Sequence, residues 1–147
     1  MENKALSVLI VEDDFDMEPL WNEIFREIDP NAQVTWTANI GEAESLIDSC
    51  LLKKAYDLII SDVFVSGSRT GVDLLDRYRS SISGRILIVS GADERLLERY
   101  LGDHYSTVKI LGKPFTKVEG IRAVQAVLKS AKNAHKGTTG LYHDFWR

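Results

Sequence analysis

Cysteine is nearly absent: Cys50 is the only one among 147 residues. A lone thiol cannot close an internal disulfide and has no neighbouring ligands, so Cys50 reads as a small, reduced helix residue. Long apolar runs are missing too. No stretch approaches the roughly 18 apolar residues of a membrane span, and no charged-then-apolar leader opens the chain. Neither membrane insertion nor a signal peptide is expected, and the expected location is cytoplasmic. Positive charge is in deficit, with 18 Lys and Arg against 22 Asp and Glu and a net charge of −4. That balance argues against direct DNA binding, which relies on attraction to the phosphate backbone. Repeats and low-complexity tracts are absent. The three histidines, His104, His135 and His143, lack metal-ligand spacing and are expected at the surface.

What is present is a set of short apolar runs, each ending in a charged residue. Glu12 and Asp13 follow Val8-Leu9-Ile10-Val11, Asp62 follows Leu58-Ile59-Ile60-Ser61, and Lys113 follows Val108-Lys109-Ile110-Leu111-Gly112. Runs so rich in Val and Ile read as strands buried on both faces of a parallel sheet. Their polar ends should then converge on the carboxyl edge, where open α/β sheets place their sites. Several carboxylates in so small a volume repel one another, so a divalent metal, a lysine, or both are implied.

Between these runs lie helical patterns. Asp16 is expected to cap a helix carrying Pro19, Leu20, Ile24, Phe25 and Ile28, ended by Asp29-Pro30-Asn31. A second strand, 34–36, precedes a capping box of Asn39 and Glu42 and a helix through Ala43, Leu46, Ile47, Cys50 and Leu51. Gly67 and Gly71 lead to a helix around 72–78, and a fourth strand, 85–89, ends at Ser90-Gly91. Asp93 caps a helix of Leu96, Leu97, Tyr100 and Leu101. Thr116 and Glu119 form a second capping box before the stripe Val118, Ile121, Val124, Val127, Leu128 and Ala131. Composition and length allow one well-buried core, expected over residues 4–134, with a linker and aromatic tail over 135–147. Strict alternation of strand and helix gives an α/β, flavodoxin-like (βα)5 doubly wound parallel sheet in the order 2-1-3-4-5. Strands 1 and 3 then flank the switch point and bring Glu12, Asp13 and Asp62 together.

Four segments in order, Val11-Glu12-Asp13-Asp14, Ile60-Ser61-Asp62, Val89-Ser90-Gly91-Ala92 and Gly112-Lys113-Pro114-Phe115, closely resemble the receiver (CheY-like) domain of two-component response regulators. The resemblance covers roughly residues 4–134 and implies a stand-alone receiver. Asp62 would be the nucleophile, forming an acyl phosphate. Mg2+ would be held by Asp13 and Asp62, by Glu12 through water, and by the carbonyl of Phe64. Lys113 would bridge Asp62 and the phosphoryl oxygens, and the Ser90 hydroxyl would donate to the same group. A cis Lys113-Pro114 bond is implied as well. The partners implied are a sensor histidine kinase or a phosphotransfer protein upstream, and an unknown downstream protein or self-association. The only chemistry expected is Mg-dependent self-phosphorylation and autodephosphorylation.

Other readings stand beside this one. Asp14 competes with Glu12 for a place in the acidic pair if the pattern shifts by one residue. Asp13 alone could be a helix cap, Asp62 a turn residue and Lys113 an exposed strand-end charge; Ser90 before glycine is common turn chemistry. A receiver-like module that binds partners constitutively without cycling phosphate is favoured by Ile110, which stands where the family has its switch aromatic. Ser66 replaces the usual proline, and the loop before Gly71 is longer by one. An aspartyl phosphatase needs a second Asp two residues after the first, where this chain has Phe64, and a flavin site needs a Ser/Thr/Gly-rich loop where it has Glu12-Asp13-Asp14. The tail Leu141-Tyr142-His143-Asp144-Phe145-Trp146 is expected to pack on its domain, to fray, or to join the helix 117–134 in an output surface.

Overall fold

The computed structural model describes residues 4–50, 55–65, 70–82 and 84–137. Leu51, Ser66, Gly67 and the aromatic tail fall outside it, as do the side chains of His135 and His143. Five strands, β1 (Ser7–Val11), β2 (Gln33–Thr37), β3 (Leu58–Asp62), β4 (Ile86–Ser90) and β5 (Lys109–Gly112), alternate with α1 (Glu18–Ile28), α2 (Ile40–Asp48), α3 (Gly71–Ile82), α4 (Glu94–Leu101) and α5 (Lys117–Gly137). The strands pair in parallel in the order β2-β1-β3-β4-β5. This is the flavodoxin-like α/β fold expected from the alternation. α5 runs to Gly137, into the segment expected as linker.

Because side chains alternate along a strand, each apolar run feeds two cores. Leu9, Val11, Ile59, Ile86 and Ile88 pack with residues of α2, α3 and α4, while Val8, Ile10, Leu58, Ile60, Leu87 and Val89 pack with residues of α1 and α5. Each such side chain, fully buried, stabilises the fold by about 1.5–3 kcal/mol before entropy is counted. Register carries the polar ends to one edge: Val11 pairs with Ser61, Asp62 with Val89 and Ser90 with Gly112.

Several local expectations are corrected. Asp16 does not cap the first helix. A 3-10 turn, Phe15–Met17, intervenes, and Asp14 caps it by accepting the Asp16 N–H at 3.1 Å. The α-helix begins later, with Pro19 in its first turn, where a missing N–H costs nothing. Asn39 accepts the Glu42 N–H at 2.8 Å, but its own N–H turns to Thr37 Oγ1 at 3.5 Å, so the box is only half made. α2 ends at Asp48, which leaves Cys50 in a turn beyond it. Val118 is 54% exposed; the buried stripe of α5 is Ala123, Val124 and Val127, set by close contact with α1. There a Cβ on Gly120 would stand 2.5 Å from Ile24 Cδ1. Tyr100 is exposed and meets the Phe64 ring edge-on at 5.0 Å.

Candidate functional site

Glu12 is the first residue beyond β1, and only 3% of it is exposed. Its N–H donates to the Thr37 carbonyl at 2.9 Å, continuing the β1–β2 ladder by one bond. Asp62 ends β3. Lys113 follows β5, where its backbone N–H donates to the Ser90 carbonyl at 2.8 Å and ties it to the end of β4. The Lys113–Pro114 peptide is cis.

From that anchorage the Lys113 ammonium donates to Glu12 Oε1 at 2.7 Å and to Asp62 Oδ2 at 2.8 Å. The other oxygens of both acids are also engaged: Glu12 Oε2 accepts the Asp14 N–H at 3.1 Å, and Asp62 Oδ1 accepts the Phe64 N–H at 3.1 Å. Ser90 is buried at the neighbouring strand end, where its Oγ accepts the Ala92 N–H at 3.1 Å. Asp13 is half-buried next to Glu12, and Phe64 lies in the loop just past Asp62. Glu12, Asp62 and Lys113 are thus brought into direct contact, with Ser90 at the adjoining strand end. Asp14 is exposed and spends a carboxylate oxygen on its cap. Ile110 is partly buried and packs into the core on the α3–α4 side.

Burial pushes the Glu12 carboxyl above its ordinary range, and the Asp62 charge adds to this. Hydrogen bonds from Lys113 and Asp14 and the Lys113 charge offset only part of the rise. For Lys113, burial acts to lower the pKa, but the hydrogen bonds to Asp62 and Glu12 and their charges together outweigh it, and the ammonium is held above its ordinary value. One cation between two carboxylates is what keeps this acidic pair inside the edge of a sheet.

The donor set suits a hard divalent cation. Carboxylate and carbonyl oxygens are the ligands Mg2+ prefers, and it uses one or two carboxylates, retained waters and phosphate oxygens rather than a complete protein cage. Among the described residues no three carboxylate, imidazole or thiolate side chains are gathered into such a cage. On the sequence expectation the ion would be held by Asp13, Asp62 and the Phe64 carbonyl, with Glu12 holding metal-bound water.

Two residues near the site's elements behave differently from the sequence reading. His104, expected at the surface, is only 7% exposed, and its Nε2 lies 2.8 Å from Asp76 Oδ1 on α3. The short 3-10 turn after α4 folds it inward, where the carboxylate compensates its burial. The sequence pattern makes Trp36 a strand residue and nothing more. Its indole N–H donates to the Glu12 carbonyl at 2.9 Å, linking the edge strand to the acidic loop.

A family model described as the response regulator receiver domain matches residues 8–125. Among solved structures, a putative response regulator from Chloroflexus aurantiacus superposes with a TM-score of 0.70 at 24% identity, over 86% of this chain and 99% of that one. A response regulator receiver protein from Sinorhizobium medicae gives 0.71 at 21% identity, over 87% and 98% of the two chains. A CheY-like receiver domain protein from Methanospirillum hungatei gives 0.72 at 16% identity, over 89% and 99%. No curated protein matches the chain. At such identities the structural likeness speaks for the fold; the family model speaks for the sequence.

Proposed function

The chain belongs to the response regulator receiver domain family, and from that premise we propose that it accepts a phosphoryl group on Asp62 in a Mg-dependent reaction and signals through protein contacts. What supports this most is one observation: Lys113 Nζ lies 2.8 Å from Asp62 Oδ2 and 2.7 Å from Glu12 Oε1 at the carboxyl edge of the sheet. A strand-end carboxylate so placed is oriented, charge-paired and reachable from the edge.

In the proposed transfer an Asp62 oxygen attacks phosphorus of a phosphohistidine. The P–N bond breaks as the P–O bond forms, and the leaving imidazole takes up a proton. Lys113 releases part of its hold on Asp62 and follows the negative charge onto the phosphoryl oxygens. The Ser90 hydroxyl, already accepting from Ala92, retains its proton to donate to the same group. Bound Mg2+ would supply charge neutralisation between the phosphoryl oxygens and the carboxylates of Asp13 and Asp62. Glu12, directly bonded to Lys113, keeps the ammonium centred over the site. In autodephosphorylation water attacks the same phosphorus, the bond from phosphorus to the Asp62 oxygen breaks as the new P–O bond forms, and the Asp62 carboxylate leaves as inorganic phosphate and a proton are released.

The phosphohistidine belongs to a sensor histidine kinase or a phosphotransfer protein. We place the receiver domain at residues 4–134, its last helix continuing to Gly137 into the 135–147 linker and tail, and the location in the cytoplasm. Among the described residues no helix is long and apolar enough to cross a membrane. One observation favours a second reading, a receiver-like module that binds partners constitutively: Ile110 packs in the core where the family has its switch aromatic. Incubating the full chain with Mg2+ and phosphoramidate separates the two. Gain of one phosphoryl mass, prevented by EDTA, supports the first reading; an unchanged intact mass supports the second.

A further inference from the structure

The β1–β2 ladder stops at an informative place. Its last register pair is Val11 with Thr37, and beyond it the Glu12 N–H still donates to the Thr37 carbonyl at 2.9 Å. In a continuing parallel ladder the Glu12 carbonyl would next accept the N–H of Asn39. That N–H instead turns back to Thr37 Oγ1 at 3.5 Å as α2 begins. The Trp36 indole N–H takes the vacant rung, 2.9 Å from the Glu12 carbonyl oxygen.

This bond is more than the core asks for. Trp36 is partly buried against the cluster shared by α1 and α5, with the Phe15 ring 6.3 Å away. A large apolar side chain would satisfy that packing; the N–H adds a directed hydrogen bond to the backbone of the acidic loop. We infer that Trp36 is a positioning residue for this loop, fixing the Glu12–Asp13 peptide and so the direction in which the Asp13 carboxylate leaves the backbone. The physical link is peptide planarity: the plane that carries the Glu12 carbonyl also carries the N–H and Cα of Asp13. Holding its oxygen from β2 restricts rotation of that peptide, and with it the Cα–Cβ direction of Asp13. The inference rests on the reading of Asp13 as a Mg2+ ligand given above.

The test is a Mg2+ titration by calorimetry of the full chain, without phosphodonor, on wild type, Asp13→Ala, Trp36→Phe and a variant carrying 3-benzothienylalanine at position 36. The last keeps the bicyclic shape and replaces the N–H by sulfur, so it tests the bond even if the smaller ring disturbs packing. Both position-36 variants are expected to bind Mg2+ about tenfold more weakly, the low end for loss of a partner behind a metal ligand. The isosteric variant stays folded in EDTA, melting lower than wild type by no more than the loss of one partly buried hydrogen bond allows, while its Asp13 amide resonance shifts. Wild-type Mg2+ affinity in the isosteric variant, with Asp13→Ala weakened, overturns the role of Trp36 and leaves the metal reading intact. Equal affinity in wild type and Asp13→Ala removes the metal reading, and this inference with it.

Discussion

Gly71, at the start of α3, faces the backbone of Asp62 so closely that a Cβ on it would stand 2.7 Å from the Asp62 carbonyl oxygen. The same Cβ would meet Ser61 Oγ at 3.1 Å. The glycine N–H donates to the Val63 carbonyl at 2.8 Å, so α3 is docked on the loop that carries the proposed phosphorylation site. The nearest atom is backbone, as is Val63 Cα at 3.3 Å, and Ser61 Oγ is itself held by donating to the Asp62 carbonyl at 2.9 Å. Gly71→Ala should therefore destabilise the fold by about 1–3 kcal/mol, as overpacking does, and slow labelling from phosphoramidate. Urea unfolding together with labelling rates checks both. A variant as stable and as readily labelled as wild type would show that this approach is soft.

Asp13 and Asp14 should separate cleanly. Asp14 caps the 3-10 turn through the Asp16 N–H, so Asp14→Ala is expected to cost about 1 kcal/mol or less and to leave Mg2+ affinity nearly unchanged. Asp13→Ala should weaken Mg2+ by more than the roughly tenfold typical of losing an outer partner. A titration with the reverse order would move the acidic pair by one residue.

Lys113 gives a pH dependence whose sign follows from its partners. Its pKa in the folded chain lies above the ordinary 10.5, so its stabilising contribution is complete below the unfolded value and is lost as pH rises through the folded one. Without Mg2+, wild type should melt above Lys113→Met by a margin that is flat from neutral pH to about pH 9. That margin should shrink in more alkaline solution. Shrinkage between neutrality and pH 9 would mean that another group controls the pairing.

Asp76 should matter although it is 61% exposed in its side chain, because its Oδ1 satisfies the buried His104 Nε2 at 2.8 Å. Asp76→Ala is expected to destabilise by about 1–3 kcal/mol, the cost of a buried polar group left unpaired. Exposed Asp103 serves as the control. Equal chemical stability of the two variants would mean that His104 finds water or another partner.

The strands were legible because their evidence is local: Val8-Leu9-Ile10-Val11 and Leu58-Ile59-Ile60-Ser61 are short apolar runs rich in Val and Ile. The meeting of Glu12, Asp62 and Lys113 followed from topology, since ends of neighbouring parallel strands share an edge. Other features depended on contacts that no window of sequence contains. The Trp36 bond to Glu12 spans 24 residues and replaces a ladder bond lost where α2 starts. The His104 contact spans 28 and depends on the turn after α4. Val118 fits the helical period but sits on the side of α5 that packs on nothing buried, since the approach to α1 is set by Gly120. Asp14 and Asp16 are the same residue type two positions apart, and only the intervening 3-10 turn decides which one caps.

The central claim is that Asp62 carries the phosphoryl group, and it is tested most directly by chemical trapping. After incubation with Mg2+ and phosphoramidate, borohydride reduces an aspartyl phosphate to homoserine, and fragmentation of the digested chain locates the changed residue. Homoserine at position 62, absent without Mg2+ and absent in Asp62→Asn, is the predicted result. Homoserine at another aspartate in wild type, or undiminished labelling in Asp62→Asn, would contradict the account.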